Sequence, residues 1–323
     1  MQRISQPPLA AWAERAEPTA LACTTARTLT WSRREGAADF ASAASGVALV
    51  GRTLWVVADD EHWLGSFDPQ SQARGAAHRL LPGELPTDPK ARKAAKPDFE
   101  AVVAIPAGLL TASPVLLAVG SGSTPTRHRS VLVTLTSDGS RASGTLVVSW
   151  QPLYAELARR FPELNIEGAA VVGDQLVLAQ RGNGSRGENA LVVLSLVRVL
   201  HALRRGGPVP AAVLDHVVPV RLPALAGVGA SLTDLCALPD GRLVFSAAAE
   251  DTKNTVEDGA VMGSLVGVMG LDGAVQEMRS VVRCKVEGVH ASLRPDGAID
   301  VMLVTDADDR AKPAQLLTAT LIG

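Results

Sequence analysis

The sequence predicts an all-β fold, a five-bladed β-propeller of four-stranded blades. Three observations carry this. One phrase recurs five times, each copy leads through a turn into a second apolar strand, and no helical stretch follows each strand as a parallel α/β fold requires. The phrase is an acidic or hydroxyl residue, then a small or acidic one, then four mostly apolar ones. Its copies begin at Ser45, Glu100, Glu167, Thr233 and Glu287.

The turns come next. Gly51-Arg-Thr, Gly173-Asp-Gln, Pro239-Asp-Gly-Arg and Pro295-Asp-Gly separate the first and second strands of four repeats, and a longer loop does so in the second. Asp-Gly between apolar runs is a strong hairpin signal. Each second strand runs into a polar loop, among them Asp59-Asp-Glu-His, Gly120-Ser-Gly-Ser-Thr and Thr305-Asp-Ala-Asp-Asp-Arg. Third strands follow at Leu64–Phe67, Val131–Leu135, Ala190–Leu194, Ser264–Met269 and Gln315–Leu321. Fourth strands fit His78–Leu81, Thr145–Ser149, Val213–Val220 and Val275–Val282. The fifth repeat ends after its third strand, and Ala26-Arg-Thr-Leu-Thr-Trp near the N-terminus is the expected partner that closes the ring. Closure removes an open sheet edge. Gly46, Ala101, Gly168 and Gly288 suit the close approach of inner strands.

The repeats start 55, 67, 66 and 54 residues apart, more than the about 40–50 that a blade needs. The excess is predicted in three insertions. Pro82 to Pro97, rich in Lys, Pro and Asp, reads as an exposed loop. Gln151–Arg160 and Leu194–Arg205 have the apolar spacing of short helices. One domain over residues 1–323 is expected, with residues 1–25 as an N-terminal extension.

Composition narrows the function classes. The chain is 47% hydrophobic and 20% charged, too apolar for disorder as a whole. Lys+Arg (31) and Asp+Glu (33) nearly cancel, so no nucleic-acid partner is expected. Apolar runs are too short for a bilayer-spanning helix, and no membrane association is expected. With 3% aromatics the core must be mainly Val, Leu and Ala. Cys23, Cys236 and Cys284 have no metal-ligand spacing and read as reduced thiols. Met1-Gln-Arg-Ile-Ser-Gln-Pro-Pro-Leu carries no apolar signal core, so the expected compartment is the cytoplasm, or the periplasm or exterior if the start lies upstream. A monomer is expected.

The repeat's first residue carries the chemistry. If Ser45, Glu100, Glu167, Thr233 and Glu287 each begin an innermost strand, all five stand around one axis. Three carboxylates so close cannot all ionise without protons, donors or a cation. A hard cation with six to eight oxygen ligands is Ca²⁺. Mg²⁺ demands compact octahedral geometry, and zinc is disfavoured because no His or Cys joins the ring. At the fourth position Ser231 or Asp234 could serve in place of Thr233. Hydrogen bonds from these side chains to neighbouring backbone N–H groups, with no ion bound, are the plainer alternative.

The polar loops should gather at the mouth of this axis. There Arg127, Arg129, Arg181 and Arg186, with Asn183, could clamp phosphate or carboxylate oxygens. Asp59, Asp60, His62, Asp306 and Asp308 are the acid/base candidates. Neither GxxxxGK[ST] nor GxSxG is present. A small anionic or phosphorylated ligand is therefore the expected partner.

The order hydroxyl, Glu, Glu, hydroxyl, Glu at five blade starts resembles the calcium-activated, apyrase-type nucleotidases. Asp98-Phe-Glu-Ala-Val and Ile166-Glu-Gly-Ala-Ala resemble phytase-like and esterase-like bacterial propellers. The resemblance covers five short motifs over roughly residues 39–309. It implies a central Ca²⁺ and, for the nucleotidases, hydrolysis of nucleoside di- and triphosphates. Two readings follow: a metal-dependent phosphohydrolase, or a non-catalytic binding propeller braced by calcium. In the cytoplasm, where free calcium is low, the ion would have to be tightly and permanently held. Lactonase-type propellers also carry calcium but with six blades and Asn/Asp-rich ligands, and only Asn165 and Asn183 here could contribute similarly.

Overall fold

The computed structural model describes residues 18–32, 40–183, 187–251, 259–281 and 284–321. Five separate sheets form the five blades. The chain begins with β1 (Thr24–Thr28) and β2 (Trp31–Ser32), which belong to different blades. Blade I holds β3 (Ala44–Val50), β4 (Thr53–Ala58), β5 (Trp63–Phe67) and β6 (Gly75–Arg79). Helix α1 (Pro89–Ala95) precedes blade II, which holds β7 (Phe99–Ile105), β8 (Val115–Gly120), β9 (Arg129–Leu135) and β10 (Ala142–Ser149). Helix α2 (Gln151–Arg160) leads to blade III: β11 (Ile166–Val172), β12 (Gln175–Gln180), β13 (Ala190–Ser195), then helix α3 (Leu196–Arg204) and β14 (Leu214–Pro219). Blade IV holds β15 (Ala224–Leu225), β16 (Val228–Ala237), β17 (Leu243–Asp251), β18 (Ala260–Met269) and β19 (Val275–Val281). Blade V holds β20 (Lys285–Leu293), β21 (Ile299–Asp306) and β22 (Gln315–Leu321).

The expected closure is present. β1 pairs antiparallel with β22 and completes blade V. β2 then runs parallel to β6 and adds a fifth strand to blade I. Upstream, Leu21 N–H donates to Ser280 O (2.7 Å) and Ser280 N–H to Thr19 O (2.9 Å), covering the outer edge of blade IV. The segment assigned to an extension thus engages blades IV and V from residue 18 onward, and residues 1–17 lie outside the described residues.

Apolar runs are continuous rather than alternating because both faces of each blade are covered. In β12, Leu176 and Leu178 pack toward blade II while Val177 and Ala179 pack toward blade IV. Five apolar clusters result, one in each gap between neighbouring blades. Val, Leu and Ala dominate them, with Trp31, Trp55 and Trp150 fully buried. The three cysteines are free and half-buried. Among the described residues no helix is long and apolar enough to cross a membrane.

Among the described residues three short α-helices are present where two were expected. α2 matches its prediction and α3 matches within two residues at its start. The third, α1, lies in the stretch read as a loop. Its start signal was in the sequence: Asp88 accepts from the Ala91 N–H (2.8 Å) as N-cap and Pro89 occupies the first turn. Pro97 follows its C-cap Lys96 and stops it. Its polar sequence shows no apolar stripe, so periodicity alone passes over it.

Candidate metal centre at the propeller axis

All five inner strands carry a β-bulge at the same place. The ladder jumps between Ala44 and Gly46, Phe99 and Ala101, Ile166 and Gly168, Leu232 and Asp234, and Val286 and Gly288. The extra residues are Ser45, Glu100, Glu167, Thr233 and Glu287, the ring read from the sequence. A bulged residue has no ladder partner and re-aims its side chain.

Four of the five line one axial cavity of about 280 Å³: Ser45, Glu100, Glu167 and Glu287. Thr233 does not. Its hydroxyl donates to Val286 O (2.9 Å) in blade V and is paired with Ser246 Oγ (2.9 Å), so it pins blade IV to blade V. Neither alternative replaces it at the cavity. Ser231 donates to Ala248 O (3.3 Å) and accepts from Arg181 Nε (3.2 Å). Asp234 accepts from Leu235 N–H (2.8 Å) and Val289 N–H (2.9 Å) inside the packed ring. Burial holds its pKa well above the ordinary value against these donors and those of Val47 and Ala169.

A cation was expected to relieve the clustered carboxylates, and part of that relief is internal. The Arg181 guanidinium reaches Glu250 Oε2 (2.8 Å), Glu167 Oε2 (3.3 Å) and Glu287 Oε1 (3.7 Å). Lys285 Nζ lies 3.0 Å from Glu287 Oε1 and 2.8 Å from Asp308 Oδ1. Burial disfavours both cations, but the surrounding carboxylates outweigh it and raise both pKa values. Asn165 Nδ2 adds a hydrogen bond to Glu167 Oε1 (2.5 Å).

The opposite side of the cavity is less compensated. Oxygens of Asp59, Asp98 and Glu100 all lie within 4.8 Å of one another. Lys96 Nζ contacts Asp98 Oδ1 (2.8 Å) and is bonded to Asp59 as well. Arg127 Nη1 donates to Asp98 Oδ2 (2.7 Å), as does Ser121 Oγ (2.5 Å). Asp98 holds this position with a left-handed backbone, φ 57°. Glu100 makes no hydrogen bond or ion pair among the described residues. Burial, then the neighbouring Glu167, push its pKa well above the carboxylate range. Burial raises Asp59 to about 6 against Lys96, and raises Glu167 to about 7 against Arg181. For Asp98 the cations and Ser121 win over burial and its pKa is lowered.

The loop candidates divide. Asp59, Asp60, Arg127, Arg181, Asn183, Asp306 and Asp308 line the cavity. Burial pushes the pKa of Asp306 well above its ordinary value. His62 lies outside the lining, its Nδ1 donating to Gly83 O (3.1 Å). Arg129 also lies outside, its Nε donating to Thr126 O (2.8 Å). Arg186 lies outside the described residues.

Sequence reasoning missed Lys96, Asp98, Lys285 and Arg92. A signal existed for two of them. The position two before each ring residue, where a strand returns to the same face, holds Ala43, Asp98, Asn165, Ser231 and Lys285. Asn165, Ser231 and Lys285 bear on the ring or its arginine through side-chain bonds, and a carboxylate oxygen of Asp98 lies within 4.8 Å of one of Glu100. Arg92 and Lys96 come from α1, which spans the mouth. Arg92 donates to Asp60 O (2.5 Å) and lies 3.3 Å from Asp60 Oδ2.

With this geometry in place, residues 41–321 match the model of a family of unknown function (DUF6929). That is most of the chain. The chain belongs to this family. No curated protein matches the DUF6929 chain significantly. Similar solved structures include the glutaminyl cyclase of Myxococcus xanthus, at 12% identity and TM-score 0.47, covering 95% of this chain and 100% of that one. Another is regucalcin from Agrobacterium tumefaciens, titled a calcium-binding protein, at 10% identity and TM-score 0.45, covering 94% and 95%. A hypothetical protein from Leishmania major stands at 11% identity and TM-score 0.46, covering 94% and 91%. At these levels of similarity none of them bears on what this DUF6929 chain binds. The resemblance to apyrase-type nucleotidases and phytase-like propellers is not supported by these relatives.

Proposed function

We propose that this protein is a cation-binding β-propeller, with calcium as the ion and the Asp59–Asp98–Glu100 corner as the centre of its site. The observation that carries this is Glu100: a carboxylate facing the cavity, beside two others within 4.8 Å, with no hydrogen bond or ion pair of its own among the described residues. The donor set fits a hard ion. It is all oxygen, and the spacing suits ligands placed about 2.3–2.6 Å from one centre. Ser45 Oγ donates to Ala43 O (3.2 Å), which leaves its lone pairs open toward the cavity. When bound, calcium would supply positive charge and a Lewis-acidic centre.

The surplus charge supports the same reading. Asp59, Asp60, Asp98, Glu100, Glu167, Glu250, Glu287, Asp306, Asp308 and Asp309 face Arg92, Lys93, Lys96, Arg127, Arg181, Lys285 and Arg310 around the cavity. The carboxylates outnumber the cations. The arginines expected to clamp a phosphate are already committed, Arg127 to Asp98 and Ser123, Arg181 to three glutamates. Freeing either would take a charged partner from buried carboxylates, leaving Asp98 with Lys96 and Ser121, or Glu167 with Asn165 alone. Binding without phosphate hydrolysis is therefore the favoured form of the function.

Calcium titration by calorimetry tests the reading. One ion per chain is expected to bind the wild type, and Glu100→Gln is expected to remove binding while leaving the fold intact. No calcium binding by the folded wild type sinks the reading. A phosphate-release assay over nucleotides and sugar phosphates, with calcium present, is expected to show no turnover. Turnover abolished by Glu100→Gln would restore the phosphohydrolase reading.

A further inference from the structure

We infer that Lys96 is the site's resident cation, and that a divalent ion and the Lys96 ammonium compete for the same carboxylates, so that ion entry releases the α1 strap from the cavity mouth. This rests on the cation-binding reading and adds its regulation.

The competition follows from shared ligands. Lys96 Nζ is bonded to Asp59 and lies 2.8 Å from Asp98 Oδ1, two of the three carboxylates at the corner. An ion coordinated by the same oxygens cannot sit there with the ammonium unmoved, because the two positive charges would share one small space. A divalent ion offers those oxygens twice the charge. The cavity also retains acceptors that Lys96 does not reach. Glu287 Oε2 is buried without a hydrogen-bond partner on a side chain only 7% exposed, and it lines the same cavity.

The link to the strap is covalent and short. Lys96 is the C-cap of α1, and its backbone N–H donates to Arg92 O. Beyond the helix's own hydrogen bonds, the strap is held to the mouth by charge. Lys96 grips the corner, Arg92 grips Asp60 and Glu61, and Arg127 Nη2 donates to Lys93 O (3.2 Å). Its helical turns bury one side chain, Arg92, and no apolar one. Loss of the Lys96 anchor therefore removes one of few restraints.

Amine labelling of the wild type tests this without a variant. Lys96 and Lys90 are acetylated by a water-soluble reagent with and without calcium, and the peptides are quantified. Lys90 is exposed on the same helix and serves as the internal reference. Labelling of Lys96 is expected to rise by about tenfold at saturating calcium while Lys90 stays constant. Lys96→Gln and Lys96→Met are expected to bind calcium about tenfold more tightly than wild type. Binding by the variants alone would overturn the inference, because the ion would then fail to displace Lys96 in the wild type. Unchanged Lys96 labelling at saturating calcium overturns the inference and leaves the cation-binding reading standing. Folded variants that bind no more tightly do the same. If neither wild type nor variants bind, both fall. If the variants do not fold, labelling of the wild type decides.

Discussion

At the scale of the residue, the axis shows what a repeat can and cannot reveal. Ser45, Glu100, Glu167 and Glu287 were legible because each opens a repeat, and each lines the cavity. Thr233 opens its repeat too, but Val286 O and Ser246 Oγ hold its hydroxyl among the strands. Partners contributed by another blade do not show in one repeat's own sequence. The same limit hid Arg181's bonds to three glutamates, and these change the chemistry expected of it. A pH dependence follows from the raised carboxyls. Asp59 titrates at about 6 and Glu167 at about 7 in the fold, above their unfolded values near 3.8 and 4.5. The folded state binds more protons in that window, so these two groups lose stabilising effect as pH rises from about 4 to about 7. Asp98 works in the opposite sense, and its contribution disappears as pH falls through its depressed pKa. On the proposed function, calcium binding would require the charged carboxylates, so affinity is expected to increase from about pH 5 to about pH 7.5. Calorimetry at both values checks this, and equal affinities would contradict it.

At the scale of the element, strands were read well and α1 was not. Strands here are apolar runs between turn residues, and burial on both faces makes that pattern strong. α1 has only caps and charge to declare it. The bulges were equally hidden, since nothing in a run such as Glu167-Gly-Ala-Ala-Val-Val marks one residue as extra. They explain the glycines that follow. A Cβ on Gly168 would lie 2.7 Å from Asp234 Cα and 2.8 Å from Leu235 N in the next blade, both backbone atoms. Gly168→Ala is expected to destabilise by about 1–3 kcal/mol in urea unfolding. Gly229→Ala, where a Cβ meets nothing within 4 Å, is expected to change stability by less than about 0.5 kcal/mol. Equal effects would refute the close-packing explanation.

At the scale of the whole molecule, stability depends on closure. Each apolar cluster belongs to two blades, so no blade keeps its core alone. The N-terminal segment supplies the outer strand of blade V and the fully buried Leu29 and Trp31 between blades V and I. Removing residues 1–32 is expected to lower Tm by more than about 5 °C and to expose the β22 edge to association. Differential scanning calorimetry with light scattering measures both. An unchanged Tm would show that the ring does not need its clasp. The closing strand was legible from arithmetic alone, because five blades of four strands left one strand missing at the end of the chain.

The shared bulge separates two kinds of information along each inner strand. Residues within the ladder answer to their neighbours in register, and a change there is transmitted through the sheet. The five bulged residues stand outside that grammar. Their identities differ from blade to blade while the pairing on either side is the same. The axis is thus a socket whose pins, a hydroxyl or a glutamate, are supplied by four of the five blades, while Thr233 clasps its neighbour instead. On the proposed cation-binding function, substitution at these positions is the way such a scaffold would be retuned toward different ions.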